Sequence, residues 1–291
     1  LHGEAWLGLG LDAEEAGVAL VSPWVSVPTN DHDYKTLFRN YPSDEIEAAR
    51  VTKLLRRDLT PRVKDLVVIT ELSDYGRGYK SAFGRAFKRL QGNVETSLYY
   101  ERGLQAEDAA ALVEGLRLKP AGGVLLISTG PDYATLLEAL LGIEYREQIF
   151  ASGSFHQPDA RALAAESAQD VLYVAPVWKP ESQHARKFAA AYRDEYGEPP
   201  TLWSALGYDA LTAIAQGAVM MNGAYRSDLS GLMRSLDFEA PGVVSGKVRF
   251  DTAGECSDCA LEVYGVRDGT ALPWEAYEEF WNQRYGVKSD S

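Results

Sequence analysis

Cysteine is nearly absent: the 291-residue chain has two, along with three methionines and four histidines. So few thiols exclude a disulfide-dense scaffold. His2, His32, His156 and His184 are too scattered to form a zinc motif. No run of about 18 apolar residues occurs, so no membrane-spanning helix is expected. No leader segment is visible, and the chain opens at Leu1 within a helix-like pattern, as a processed or truncated start would. Positive charge is scarce: 29 Lys and Arg stand against 42 Asp and Glu, a formal net charge of -13. Nucleic-acid binding relies on clustered cations, so that class is disfavoured, as is adsorption to an anionic membrane. No P-loop, H-E-x-x-H, G-x-S-x-G or strand-borne G-x-G-x-x-G is present, and Gly76-Arg77-Gly78 lacks the third glycine of a dinucleotide loop. Nothing supports an enzyme, and no cofactor is expected. Asp31-His32-Asp33 is short of a closed metal shell and reads as a solvated acidic loop.

What is present is an ordinary globular composition, 46% hydrophobic and 24% charged, in a chain long enough for two packed lobes. The two cysteines, Cys256 and Cys259, are spaced C-x-x-C between Phe250-Asp251 and the strand-like run from Ala260 to Tyr264. A turn suits a local disulfide better than a redox helix. Free thiols and redox or metal chemistry are the alternatives, the last lacking a second C-x-x-C or a His pair.

Hydrophobic periodicity alternates along the chain. Helical spacing is read over 1–16, 45–57, 78–90, 106–116 and 134–141, with strand runs at 18–22, 66–70, 94–99, 124–128, 149–152 and 171–175. That alternation predicts an α/β fold with a parallel sheet covered by helices on both faces. Further helices are expected at 181–196, 203–221, 228–236 and 275–285, strands at 247–250 and 261–266, and a turn at 266–270. In such sheets, ligands bind beyond the carboxyl ends of the strands. Those ends carry Ser22-Pro23-Trp24-Val25-Ser26, Glu71-Leu72-Ser73-Asp74-Tyr75-Gly76, Ser128-Thr129-Gly130 and Ser152-Gly153-Ser154-Phe155. Hydroxyls and rings gathered there suit a small polar ligand. Each has a plainer reading: Trp24 as filler, Tyr75 as a turn residue, Thr129 and Ser154 as helix caps. Trp178 reads equally as a cleft cap or as hinge packing. Tyr208-Asp209, inside a helix, reads as a packing and hydrogen-bonding element.

Four segments carry a family resemblance: Phe38-Arg39-Asn40-Tyr41-Pro42-Ser43-Asp44, Asp74-Tyr75-Gly76-Arg77-Gly78, the run from Pro199 to Ala210 that contains Trp203-Ser204 and Gly207-Tyr208-Asp209, and Gly246-Lys247-Val248-Arg249-Phe250-Asp251. In order and spacing the chain resembles the type I periplasmic binding proteins, the solute receptors of branched-chain amino acid ABC transporters. The resemblance implies two Rossmann-like lobes with parallel sheets flanked by helices, joined by a three-strand hinge that closes on ligand. It divides the chain into a first lobe of 1–60 plus 180–252, a second of 61–179 plus 260–275, and a terminal helix over 276–291. Crossovers fall near Thr60-Pro61, Pro176 to Pro180, and Thr252 to Cys259. The implied partners are an amino acid-like or organic acid ligand and an ABC permease, in a periplasmic or extracellular location, free or lipid-anchored.

By the same resemblance, Ser26 belongs to a loop that holds the ligand's carboxylate, with Trp24 shaping that pocket. Tyr75 packs on the ligand from the other lobe. Thr129 and Ser154 hold its ammonium and side chain, with Phe155 beside them. Leucine-type receptors often have a carboxylate where this chain has Ser154. Relatives also begin with further strands ahead of the segment matching Leu1, so the first lobe is expected to be incomplete. A fragment, strands exchanged from another copy, or a reduced variant would each account for that. A sensor or envelope scaffold of the same fold, binding a protein partner, is the alternative function.

Overall fold

A computed structural model describes residues 3–26, 34–118, 121–164, 166–178, 181–222 and 226–286. The Asp31-His32-Asp33 loop and His2 lie outside the described residues. In chain order the elements are α1 (Gly3–Ala16), β1 (Leu20–Ser22), β2 (Leu37–Arg39), α2 (Asp44–Lys53) with a π-helical turn at Leu54–Asp58, β3 (Asp65–Glu71), α3 (Asp74–Arg89), β4 (Asn93–Tyr100), α4 (Ala106–Val113), α5 (Gly115–Leu118), β5 (Gly123–Ile127) and α6 (Asp132–Gly142). Next come β6 (Gln148–Ala151), a 3-10 turn at Gly153–His156, α7 (Pro158–Leu163), β7 (Leu172–Pro176), α8 (Gln183–Tyr196), α9 (Leu202–Met221), α10 (Arg226–Met233), β8 (Ala240–Pro241), β9 (Lys247–Val248), β10 (Leu261–Arg267), β11 (Thr270–Pro273) and α11 (Trp274–Tyr285).

The chain divides into two compact units: Leu1–Asp44 with Pro176–Ala260, and Glu45–Ala175 with Leu261–Ser291. The second is built on one sheet with the order β11-β10-β7-β6-β5-β3-β4. Pairs β3/β4, β3/β5, β5/β6 and β6/β7 are parallel, and β10/β11 is antiparallel. Side chains alternate across a strand, so one strand feeds two cores. Val67, Ile69, Val124 and Leu126 face one core with Val113, Leu136, Leu137 and Leu140 from α4 and α6. Leu66, Val68, Leu125 and Ile127 face the other with Val51, Tyr79, Phe83, Phe87, Tyr277 and Trp281 from α2, α3 and α11. On α3 the rings recur every four residues and put one stripe into the core; Phe83 and Phe87 stack at 5.0 Å.

The order of the parallel strands has a functional consequence. In β4-β3-β5-β6-β7 the chain first steps outward and then reverses between β3 and β5. Connections leaving those two strands go to opposite faces, which opens a crevice at their carboxyl ends.

The first unit has two small sheets among the described residues, parallel β1/β2 and antiparallel β8/β9. Its core gathers Phe38, Ala213, Met233, Phe238, Val248 and Phe250. The α9 helix starts at a reciprocal cap in which the Thr201 hydroxyl accepts from the Ser204 amide and the Ser204 hydroxyl accepts from the Thr201 amide. Arg234 lies over the Phe38 ring and donates to the carbonyls of Tyr34, Lys35, Leu37 and Thr252 at 2.6 to 3.0 Å, tying those loops together. Cys256 and Cys259 form a disulfide, with Cα atoms 5.7 Å apart.

Several boundaries differ from expectation. The first division falls at 44/45 rather than near Thr60, because Ala48, Val51, Leu54, Leu55 and Leu59 all pack into the second unit's core. The terminal helix is no separate element, since Tyr277 and Trp281 are buried in that same core. Each sheet described in the first unit has two strands. The turn expected at 266–270 is confined to Asp268-Gly269, which joins β10 to the unforeseen strand β11.

Candidate functional site

In the second unit the carboxyl ends of β3, β5 and β6 bring Tyr75, Thr129 and Ser154 to the same edge of the sheet, each half-buried. Strand β3 ends at Glu71, fully buried behind them. Its carboxylate accepts from the Thr129 hydroxyl at 2.7 Å, the Ser73 hydroxyl at 2.5 Å and the Arg102 guanidinium at 2.7 Å. Ser73 in turn caps α3 by accepting from the Gly76 amide. Position 76 is glycine because a Cβ there would collide with the Glu71 carbonyl. That close approach sets where Tyr75 emerges.

Tyr75 Oη donates to Ser152 Oγ at 2.9 Å and lies 3.1 Å from Ser154 Oγ. Behind them Tyr133 Oη lies 2.8 Å from both serine hydroxyls, and Ser154 Oγ donates to the Ser128 carbonyl at 2.7 Å. Tyr100 Oη donates to Ser128 Oγ at 2.6 Å. Burial pushes the Tyr133 and Tyr100 phenols far above their ordinary value, so both stay neutral. Gly153 N donates to Glu47 at 2.5 Å, which anchors the turn that carries Ser154. Asp132 accepts from the Gly103 and Leu104 amides and holds the β4–α4 loop to the start of α6.

These bonds commit hydroxyl hydrogens inward. Thr129 gives its proton to Glu71, and Ser154 gives its proton to a backbone carbonyl. With its proton committed, the half-buried Thr129 oxygen keeps acceptor capacity beside the Tyr75 ring, groups suited to an N–H or O–H donor and apolar carbon. Phe155 departs from expectation. It is fully buried, edge-on to Tyr133 at 4.9 Å and to Tyr173 at 5.4 Å, so its side chain is part of the core.

In the first unit, Ser22 ends β1 and accepts from the Val25 amide at 3.2 Å, which turns the chain so that Trp24 is exposed. The Ser26 carbonyl accepts from the Asp44 amide at 2.9 Å, and Ser26 itself is half-buried. Trp24 and Ser26 therefore lie on one turn at the end of a parallel strand, where the sequence placed them. Trp178 packs beside Tyr41, Leu202, Leu206 and Trp203. Asp209 is buried, and its two oxygens accept from the Val243 amide at 2.6 Å and the Val244 amide at 3.0 Å, as its reading as a hydrogen-bonding element anticipates.

Glu47 and Tyr133 were not foreseen, and Glu71 and Ser152 were foreseen only as members of strand-end segments. Glu71 carries the one available signal, an acidic residue closing the β-branched run Val67-Val68-Ile69-Thr70. Among the described residues no group of three potential metal ligands occurs, and no helix is long and apolar enough to cross a membrane.

A family profile described as periplasmic binding protein matches residues 4–270. No curated protein matches the chain. Among solved structures, the chain is similar to the leucine-binding protein LivK of Thermotoga maritima, at 21% identity over 94% of this chain and 77% of that one, with a TM-score of 0.81. It is similar to the branched-chain amino acid transporter substrate-binding protein LivJ of Streptococcus pneumoniae, in complex with isoleucine, at 20% identity over 90% and 73% of the two chains, with a TM-score of 0.73. A solute-binding protein of an ABC transporter from R. palustris, in complex with benzoate, aligns at 15% identity over 92% and 73%, with a TM-score of 0.76.

Proposed function

The chain belongs to the periplasmic binding protein family, and on that premise we propose that it is the solute receptor of an ABC transporter, binding a small carboxylate with a donor-bearing end. Tyr75, Thr129 and Ser154 receive that end and its carbon skeleton. Ser26, beside Trp24, meets the carboxylate. The supporting observation is that, at the crevice between β3 and β5, the Thr129 hydroxyl commits its proton to Glu71 and keeps an acceptor oxygen beside the Tyr75 ring. That chemistry suits an ammonium or hydroxyl group on the ligand, and the similar structures were solved with an amino acid or an aromatic acid. Capture by hinge closure is what the resemblance implies, with no bond made or broken. The Cys256–Cys259 disulfide suits an oxidising compartment, in keeping with a periplasmic or extracellular location. Delivery to an ABC permease completes the role.

A thermal-shift screen of amino acids, hydroxy acids and aromatic acids tests this reading. A ligand that stabilises only its folded receptor raises the melting temperature with concentration. The expected result is a stabilising acid in one chemical class, lost in Tyr75→Ala. A chain that responds to none of them and instead saturably binds a protein partner is a scaffold of the same fold.

A further inference from the structure

The second unit carries a concentration of positive charge that the receptor reading does not use. Arg146 precedes β6, Asp170 precedes β7, and Arg267 ends β10, so all three meet at the sheet edge opposite Ser152 and Ser154. Arg284, from the last turn of α11, joins them, and the four line one open groove with Phe280 and Gln283.

Three guanidinium groups line this groove, and two of them, Arg267 and Arg284, share the Asp170 carboxylate. Asp170 is held from three sides: Tyr277 Oη donates to it at 2.9 Å, Arg284 at 2.7 Å and Arg267 at 3.4 Å. Arg284 also donates to the Arg146 carbonyl at 3.0 Å, which fixes the turn that bears Arg146. Arg267 lies over the Phe280 ring, 5.1 Å from its centroid. Two of the three guanidinium groups are thus oriented by the protein before anything binds. Arg146 is 79% exposed, and its nearest carboxylate is Glu144, 81% exposed and 4.0 Å away, a pairing that water largely screens. Glu279 is engaged by Gln283 at 3.3 Å. Three arginines outnumber Asp170 and Arg146's partner Glu144, so the groove keeps a net positive charge on a chain whose net charge is -13. Such a chain repels anions from most of its surface, so retention of one here depends on local geometry.

We propose that Arg146, Arg267 and Arg284 form a second binding site, for a phosphate group. Planar guanidinium forks match tetrahedral oxyanions with paired N–H donors, and a phosphate group is drawn by the groove's net positive charge. Free phosphate and the headgroup of an anionic phospholipid present the same chemistry to the groove.

The test is a titration of the full chain with inorganic phosphate at low salt, followed by calorimetry, for the wild type, Arg146→Ala, Arg146→Ala/Arg267→Gln and Tyr75→Ala. Arg146→Ala removes an exposed side chain outside the core and leaves the fold intact, which melting curves verify. The expected result is saturable binding that weakens about tenfold or more in Arg146→Ala, and further in the double variant. It is unchanged in Tyr75→Ala, which separates this site from the solute site. Sedimentation with phosphatidylglycerol vesicles, against phosphatidylcholine controls, then identifies the source. Arginine-dependent co-sedimentation competed by phosphate assigns the lipid headgroup, and phosphate binding without co-sedimentation assigns the free anion. Absence of saturable binding to both probes overturns the proposal, as does equal phosphate affinity in the wild type and the double variant, or loss of phosphate binding in Tyr75→Ala.

Discussion

Replacing Asp209 by asparagine isolates the cost of burying one carboxylate. Two backbone amides and the nearby His184 favour its charged form, yet burial outweighs them and raises its pKa from 3.8 to about 6. Lys247 lines the same small cavity. The native state therefore binds the Asp209 proton more readily than the unfolded chain does. By linkage, its contribution to stability is fully present below pH 3.8 and is lost as pH rises through 6. A shift of this size corresponds to about 3 kcal/mol. Asp209→Asn is neutral at every pH and forfeits an acceptor for one buried amide, a cost of about 1–3 kcal/mol that does not vary with pH. Urea unfolding of both proteins from pH 7.5 to pH 3.5 gives the difference in stability, in which other titrating groups cancel. The wild type should gain about 3 kcal/mol relative to the variant on acidification. A flat difference, or one of opposite sign, would refute the claim that burial dominates the two amide bonds.

Three further outcomes are expected. His156, buried beside Tyr173 and Tyr264, has its pKa lowered from 6.5 to about 3 by burial and by Arg161, so its contribution is present above 6.5 and lost as pH falls toward 3; His156→Asn should flatten the fall in melting temperature across that window. Gly76→Ala forces a Cβ against the Glu71 carbonyl and should cost about 1–3 kcal/mol in urea unfolding, with Tyr75 displaced and the screened ligand bound more weakly. Reducing the Cys256–Cys259 disulfide, whose loop spans three residue steps, should lower stability by about 2 kcal/mol, read as a shifted urea midpoint with and without reductant.

The parts of the fold legible in the sequence were those with sustained periodicity. Leu66 to Ile69 and Val124 to Ile127 are unbroken apolar runs, and a strand buried on both faces needs such runs. Tyr79, Phe83 and Phe87 mark α3 by their four-residue spacing. Strands β2, β8 and β11 were not read, because two to four residues carry no period; they exist through pairing with the strands beside them, β1, β9 and β10. The site follows the same division. Tyr75, Thr129 and Ser154 were nameable because strand ends are nameable. The Glu71 network was not, since it joins Ser73, Arg102 and Thr129 across three connections. Phe155 misled because strand-end position alone does not say whether a ring faces outward or into the core; here Tyr133 and Tyr173 enclose it.

The most direct test of the receptor reading is calorimetric titration of the best acid from the screen into the wild type and Tyr75→Ala. Tyr75 contributes its ring and a hydroxyl bridging to Ser152 and Ser154. Losing both predicts one-to-one binding in the wild type and an affinity about 100-fold lower in the variant, equivalent to roughly 3 kcal/mol. Equal affinity in the two proteins would contradict the account and place the solute elsewhere on the chain.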